Sequence, residues 1–175
     1  MKYFFSLAIF TCGLLLATSI NAQQDKSKRP SPPAKVSEKL KSGATVSIDY
    51  SQPSLKGRSI GTTVEPKKDQ VWRMGANEAT VFETDKDVTI NGQKLAAGKY
   101  SLFGLWTEAG YTLIFNNAYQ IWGTQYSDNK DKDALRVPAK VKTTDKIQEK
   151  LTYTIDKSGM VDLLWGNMDI SFTVQ

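Results

Sequence analysis

Two short stretches of this sequence carry the side chains best suited to binding or transforming a ligand. In "YSQPSLKGR", Lys56 and Arg58 flank a glycine, and a guanidinium can hold a carboxylate or a phosphate through two parallel hydrogen bonds. In "VWRMGANEATVF", Arg73 could bind an anionic or hydroxyl-rich ligand, while Glu78 could accept hydrogen bonds or act as an acid or base. These residue types predict a polar site built from loops between strands.

Aromatic residues extend this set. The stretch "NNAYQIWGTQY" supplies Tyr119, Trp122 and Tyr126, whose rings could stack on a sugar or could belong to the core. Trp106 and Trp165 lie elsewhere in the chain and are open to the same two interpretations. The predicted ligand-binding residues are Tyr50, Lys56, Arg58, Trp72, Arg73, Asn77, Glu78 and Trp122.

Three functions are consistent with these residues. The leading hypothesis is binding of a small polar or glycan ligand. The second is a histidine-free hydrolase or lyase in which Glu78 acts as the base and Arg73 or Lys56 stabilises an anion. The third is a non-catalytic cell-envelope interaction module, whose exposed strand edges would meet an unidentified protein partner. A structural alternative stays open: Arg73 and Glu78 pair at a folding corner, where Gly75 and Asn77 take left-handed backbone.

The composition excludes several mechanisms. The 175 residues include no histidine and a single cysteine, Cys12, which excludes Ser-His-Asp and Cys-His catalysis and histidine-ligated zinc. Interleaved lysines and a missing glycine break the calcium-loop pattern in "SDNKDKD", so we expect no metal and no cofactor. The formal net charge of +5 is spread without a basic face, which argues against nucleic acid as a partner.

The chain divides into three parts. Residues 1–22 have the features of a secretory signal peptide: one charge at Lys2, an apolar stretch and a small-residue exit at Ala22. Residues 23–30 are polar and end at a proline, which is typical of a flexible tether. Residues 31–175 are predicted to form one domain, in which no apolar run is long enough to span a bilayer. We therefore expect an exported protein, either periplasmic or secreted.

Alternating apolar and polar residues predict many short strands. In "ATVSIDY", Val46, Ile48 and Tyr50 would share one face of a strand, and Asn91-Gly92 favours a two-residue hairpin turn. The last part of the chain supplies four more strand candidates: "LRVPAKVKT", "EKLTYTID", "MVDLLW" and "DISFTV". No long helix is indicated. The pattern predicts an all-β single domain, either an antiparallel β-sandwich or a jelly-roll-like barrel.

These motifs resemble one family of secreted bacterial proteins. "IDYSQPSLKGR", "VWRMGANEATVF" and "INGQKLAAGKYSLF" are similar to the pattern of domain of unknown function 2911, from Ser31 to about Tyr153. The resemblance brings no known activity, but it implies that polar residues clustered in two loops are a family property. This chain departs from the pattern at Met74, where similar proteins tend to have a small polar residue. The signature positions are Tyr50, Ser51, Pro53, Lys56, Gly57, Arg58, Trp72, Arg73, Gly75, Asn77 and Glu78.

Overall fold

A computed structural model describes residues 25–175, in which most regular elements are β-strands. The ten strands are β1 (Pro33–Lys39), β2 (Thr45–Ser51), β3 (Val71–Trp72), β4 (Thr80–Thr84), β5 (Val88–Ile90), β6 (Gln93–Leu95), β7 (Gly98–Thr107), β8 (Gly110–Asn116), β9 (Asp133–Ile155) and β10 (Met160–Thr173). Two short 3-10 helices, Lys26–Lys28 and Ser127–Lys132, complete the regular structure of these residues. Neither is long and apolar enough to cross a membrane. The predicted all-β single domain is confirmed, while the predicted signal peptide, residues 1–22, lies outside the described residues.

The main sheet is antiparallel, with strand order β1-β2-β4-β7-β8-β9-β10 and with β3 beside β7. Successive side chains of a strand point to opposite faces, so the alternating sequences give this sheet an apolar inner face. Ile48 lies opposite Phe82, and Leu102 lies opposite Phe115; all four are fully buried. The rings of Phe82 and Phe115 meet edge to face with centroids 5.1 Å apart, a geometry that contributes about 1 kcal/mol beyond burial.

The sheet curls so that the chain next to its first strands reaches the second half of β9. The chain that follows β2 bonds to the second half of β9: the Leu151 amide donates to the Pro53 carbonyl (3.0 Å), and the Gln52 side-chain amide donates to the Leu151 carbonyl (2.9 Å). The β9–β10 hairpin shifts its pairing register on both sides of Gly166. Gly166 has a φ of +58°, which glycine adopts without the steric cost that other residues meet. A bulge at this glycine therefore bends the long hairpin.

A separate hairpin of β5 and β6 confirms one local prediction. Asn91 and Gly92 join the two strands with φ values of +47° and +83°. Two positive φ angles at the centre of a two-residue turn match the twist of the flanking strands. The hairpin attaches to the end of the main sheet, where the Asn91 amide donates to the Thr173 carbonyl (2.9 Å).

Part of the outer face is also covered. Phe103 and Ile114 are cross-strand neighbours in β7 and β8, and both are fully buried in a cluster apart from the main core. Tyr126 packs on Phe103, with ring centroids 4.9 Å apart, and Ile121 packs against the same cluster. Residues 117–126, called here the 117–126 loop, therefore fold over the outside of the sheet and bring Gly123 to one wall of the site described next.

Candidate functional site

Two adjoining cavities meet at the end of β3. They share Glu65, Trp72 and Arg73, and we call them together the Arg73 cleft. The smaller lobe has a volume of about 250 Å³ and the larger lobe about 530 Å³. Arg58, Lys67 and Trp165 are among the other residues of the smaller lobe. Gly123, Tyr126 and Lys130 are among those of the larger lobe.

The chain turns sharply after Arg73. Met74 and Asn77 have φ values of +51° and +57°, in the left-handed region. The expectation that Gly75 takes this conformation is wrong, because Met74 takes it instead. Gly75 meets a different requirement: a Cβ at this position would lie 2.7 Å from Thr80 Oγ1 and 3.3 Å from the Ser51 carbonyl oxygen. Glycine is therefore needed here for space rather than for backbone freedom.

Hydrogen bonds to buried groups fix this corner. The Met74 carbonyl accepts from the Tyr153 hydroxyl (2.9 Å) and from Thr80 Oγ1 (3.2 Å), and Trp72 Nε1 donates to the Gly75 carbonyl (3.1 Å). Trp72 and Met74 are both buried in the core. Such bonds hold the backbone on either side of position 73, so the corner gives Arg73 a fixed place between two buried neighbours.

Arg73 lies against the 117–126 loop. A Cβ on Gly123 would lie only 1.9 Å from Arg73 Cδ, so the arginine stem occupies the space above this glycine. The Gly123 amide donates to the Asn77 carbonyl (3.1 Å), which holds the loop against the corner. The 117–126 loop therefore packs against the arginine stem, while the hydrogen-bonded corner fixes the backbone of Arg73.

Residues 25–175 leave the guanidinium of Arg73 without a hydrogen-bond or ion-pair partner. Its Nε is buried and has no hydrogen-bond acceptor among residues 25–175, and Arg73 forms no ion pair with a carboxylate in this part of the chain. Burial lowers the pKa of Arg73, while the charge of Glu65 raises it. An arginine pKa starts so high that the group stays protonated at neutral pH. The cleft therefore holds a positive charge with an unused buried donor.

Glu65 stands where the two lobes join. Its backbone carbonyl accepts from Trp165 Nε1 (2.8 Å), and its carboxylate accepts from the Lys67 amide (2.8 Å). These bonds fix the loop that carries Glu65 against β10. The carboxylate adds the single negative charge among the lining residues of the cleft.

Tyr111 places a second unused polar group close to this region. Its ring leans over Gly104, where a Cβ would lie within 2.1 Å of the hydroxyl, and Gly104 is the strand partner of Trp72. The hydroxyl is buried and has no hydrogen-bond partner among the described residues. Burial, and then the charge of Glu65, raise the pKa of Tyr111 above its usual range, so the phenol is neutral at neutral pH.

Glu78 belongs to another cavity. Arg29 NH1 bonds to both of its carboxylate oxygens (2.9 and 3.1 Å), and Lys26 Nζ lies 3.0 Å from one of them. Burial acts to raise the pKa of Glu78, but the hydrogen bonds from Arg29 and Lys26 outweigh it and lower the pKa to about 2. Glu78 lines neither lobe of the Arg73 cleft. The pairing of Arg73 with Glu78 is therefore not found: the partners of Glu78 come from the segment before β1.

Three of the predicted site residues come together. Arg58, Trp72 and Arg73 line the smaller lobe, and Trp72 and Arg73 also line the larger one. The Arg58 guanidinium is engaged by its own loop, since its Nε and NH2 donate to the carbonyls of Leu55 (2.9 Å) and Ser54 (2.7 Å). Arg58 thus contributes charge to the lobe, while most of its directional bonding is used to shape the loop.

The other predicted residues lie outside the Arg73 cleft. Tyr50 is buried and lines the Glu78 cavity, and Lys56 is exposed on its turn. The Asn77 side chain donates to the Ser31 carbonyl (3.0 Å) and so ties the corner to the start of the domain. Trp122 is 45% exposed and lines neither lobe. The two polar loops therefore meet, but only part of their chemistry faces one cavity.

Sequence reasoning missed three charged residues of the cleft. Glu65 and Lys67 sit in a polar loop and Lys130 in the 3-10 helix Ser127–Lys132, and neither segment carries a local signal of a ligand site. Long-range pairing of the chain brings them to Arg73. Tyr126 and Trp165 were visible as aromatic candidates, and both line the cleft.

The described residues contain no group of three or more acidic, histidine or cysteine side chains placed to hold a metal ion. The charged side chains that line the Arg73 cleft are mainly those of arginine and lysine, which donate hydrogen bonds and have no lone pair for a cation. These side chains suit a ligand with polar acceptor groups.

Comparison with known proteins gives a family but no function. The family model described as "Protein of unknown function (DUF2911)" matches residues 31–174, which is most of the chain. No curated protein and no solved structure matches the chain. The motifs that resemble this family include both polar loops, and the second of these loops forms the corner at Arg73. The chain belongs to the DUF2911 family.

Proposed function

We propose that this chain is an exported protein that binds a small polar ligand, a short glycan included, in the Arg73 cleft. One observation carries the proposal: Arg73 Nε is buried and has no acceptor among residues 25–175. A buried charged donor without a partner is costly, and natural proteins rarely keep one without a reason. Because the guanidinium donates no hydrogen bond to residues 25–175, an acceptor oxygen of a ligand in the cleft would give this charged group its first partner.

The surroundings of Arg73 support binding. Gly123 and the corner hold the arginine in one place, so little side-chain freedom would be lost when a ligand binds. The larger lobe, with about 530 Å³, falls in the size range of sites for small organic molecules, and the smaller lobe adds about 250 Å³ beside it. Trp72 and Tyr126 provide apolar wall next to the charged groups. Small-ligand sites commonly combine these two kinds of surface.

Binding is favoured over the hydrolase or lyase alternative by the position of Glu78. This carboxylate lies in a different cavity from Arg73, so the two cannot act on one substrate group in this arrangement. With a pKa near 2, it is also a weak base at neutral pH. The third hypothesis, a cell-envelope interaction module, has no specific observation in its favour and stays a prediction.

Export is the second half of the proposal and rests on the sequence of residues 1–22. Expression of the full chain in a Gram-negative host, followed by cell fractionation, tests it. We expect the processed protein in the periplasm or the medium, beginning near residue 23. Unprocessed protein that stays in the cytoplasm would contradict this half while leaving the cleft unaffected.

Ligand binding is tested by thermal denaturation of the processed protein against a panel of mono- and oligosaccharides, sugar acids and small metabolites. A bound ligand raises the melting temperature because it stabilises only the folded state. Arg73→Ala should weaken binding of any hit by about tenfold or more, the value of one charge-assisted hydrogen bond. Lys94→Ala, on exposed β6 outside the cleft, is the matched control and should bind normally. A panel with no stabilising member, or hits that Arg73→Ala binds equally well, would sink the proposal.

A further inference from the structure

The charges that line the Arg73 cleft are unequal. Four are positive and one, Glu65, is negative; the positive residues are Arg58, Lys67, Arg73 and Lys130. No carboxylate of residues 25–175 forms an ion pair with any of these four. Clefts lined by one sign of charge concentrate the electric field and raise the local concentration of oppositely charged molecules. The imbalance therefore selects for negative ligands.

Arg73 is the best placed of these four cations to bind the anionic group of a ligand. It is the one member of the four with a buried, unpartnered donor, and it lines both lobes. The planar guanidinium offers two parallel donors to a carboxylate, phosphate or sulfate group, and such bonds are about twice as strong as neutral ones. A neutral hydroxyl could accept from Arg73, but it would leave the charge uncompensated in a half-enclosed site.

Size and charge also divide the two lobes. The larger lobe, with Lys130 at its wall, has about 530 Å³, against about 250 Å³ for the smaller. Glu65 faces both lobes and would repel a second anionic group placed beside it. A ligand with one anionic end at Arg73 and its body in the larger lobe meets both conditions.

We propose that the ligand of the Arg73 cleft is an anion: a small molecule whose carboxylate, phosphate or sulfate group is bound by Arg73 and whose body occupies the larger lobe beside Lys130. This inference rests on the proposed function, since it names the chemical class of the ligand for the same site. In this proposal, Lys67 and Lys130 attract the anionic ligand, and the negative charge of Glu65 lowers the affinity for it.

The first experiment titrates the processed protein with inorganic phosphate and with sulfate while the side-chain Nε–H resonance of Arg73 is followed by NMR, assigned through Arg73→Lys. Sodium chloride at matched ionic strength is the control for screening. We expect a saturable shift with both oxyanions and none with chloride. A resonance that does not respond to either oxyanion would overturn the inference.

The second experiment compares matched pairs of probes, glucose with glucuronate and with glucose 6-phosphate, by calorimetry. We expect each anion to bind about tenfold or more tightly than glucose and to lose affinity as sodium chloride rises from about 50 to about 500 mM. Equal or tighter binding of glucose would overturn the anion inference and leave the proposed function standing. Absence of binding by all three probes, with a silent Arg73 resonance, would count against both.

Variants separate electrostatics from structure. Lys130→Ala and Lys67→Ala should each weaken anion binding severalfold, and Lys94→Ala should not. Glu65→Gln keeps an acceptor for the Lys67 amide but removes the opposing charge, so it should tighten anion binding severalfold. A purely structural glutamate would give the opposite result or none, and weaker binding in Glu65→Gln with an unchanged melting temperature would refute its assigned role.

Discussion

The contact between Gly123 and Arg73 predicts a specific pattern of mutational coupling. The backbone of Gly123 does not lie in the left-handed region, so an alanine could adopt it. The new methyl group would lie 1.9 Å from Arg73 Cδ and 2.9 Å from both Cγ and Nε, well inside van der Waals contact. Gly123→Ala must therefore push the arginine stem out of its place or move the 117–126 loop.

The size of the effect follows from that clash. Forcing one extra methyl into a packed site costs about 1–3 kcal/mol of unfolding free energy. In an Arg73→Ala background the stem is gone, and Gly→Ala at a compatible backbone stabilises by about 0.4–1 kcal/mol because the unfolded chain has less freedom to lose. The two substitutions should thus be coupled by about 1.4–4 kcal/mol, with the double variant more stable than Arg73→Ala alone.

Urea denaturation of the wild type, both single variants and the double variant measures this coupling. Lys130→Ala is the matched comparison, because it removes another cation of the larger lobe, and the three atoms nearest to a Cβ at Gly123 all belong to Arg73. Gly123→Ala combined with Lys130→Ala should be additive. If Gly123→Ala is equally destabilising with and without the Arg73 side chain, the glycine is required for some other reason and the reasoning about a fixed arginine fails.

Three further perturbations test other parts of the site. Because the pKa of Glu78 is lowered to about 2 in the folded protein, its contribution to the unfolding free energy is present above about pH 4.5 and is lost as the pH falls towards 2. Urea titrations across this window should show that the wild type loses about 1 kcal/mol more than Glu78→Gln, a value discounted because the side chain is 37% exposed. Tyr111→Phe removes a buried hydroxyl that has no partner among residues 25–175, and it should raise the unfolding free energy by about 1 kcal/mol. Tyr153→Phe loses the bond to the Met74 carbonyl and should lower the unfolding free energy by a similar amount. Equal destabilisation of both variants would reveal a partner for Tyr111. Asn77→Ala places an alanine at a φ of +57° and removes the bond to Ser31, so chemical denaturation should show a loss of about 1–2 kcal/mol, with a loss no larger for Asn77→Gly.

Local patterns were enough to predict the class of fold. In β2, Val46, Ile48 and Tyr50 are buried and share one face, as their alternation with polar residues required. The turn at Asn91 and Gly92 was equally predictable, because it requires a positive φ at two successive positions and few residue types other than asparagine and glycine adopt one. In both cases the signal lies within a few residues of the structure that it determines.

The last two strands show what a local pattern misses. Four strand candidates in this region are in fact two long strands, β9 (Asp133–Ile155) and β10 (Met160–Thr173). The middle of β9 is polar and largely exposed, so its sequence looks like a loop although its backbone stays extended. Gly166 gives no warning of the register shift that bends the hairpin, since a bulge depends on the partner strand.

Prediction of the site was limited in the same way. Arg73 and Trp72 stand out because charge and aromatic character coincide at a strand end. Glu65, Lys67 and Lys130 do not, because their positions depend on distant parts of the chain: Trp165 of β10 holds the Glu65 carbonyl, and Lys130 lies in the 3-10 helix Ser127–Lys132. Met74 rather than Gly75 takes the left-handed backbone, since the hydrogen bonds to the Met74 carbonyl and the crowding at Gly75 outweigh local preference.

The corner explains why Arg73 keeps its charge unpaired although an acidic residue follows so closely. Left-handed backbone at Met74 and Asn77 turns the chain between Arg73 and Glu78, and the two side chains line separate cavities. Glu78 is then saturated from the segment before β1, where Arg29 binds both of its oxygens. In a flexible loop, Arg73 and Glu78 would pair with each other, because opposite charges only five residues apart attract each other and the short loop closes at little entropic cost. In this fold the segment before β1 pairs with Glu78, whereas Arg73 lines the cleft as a cation without an ion-pair partner among residues 25–175.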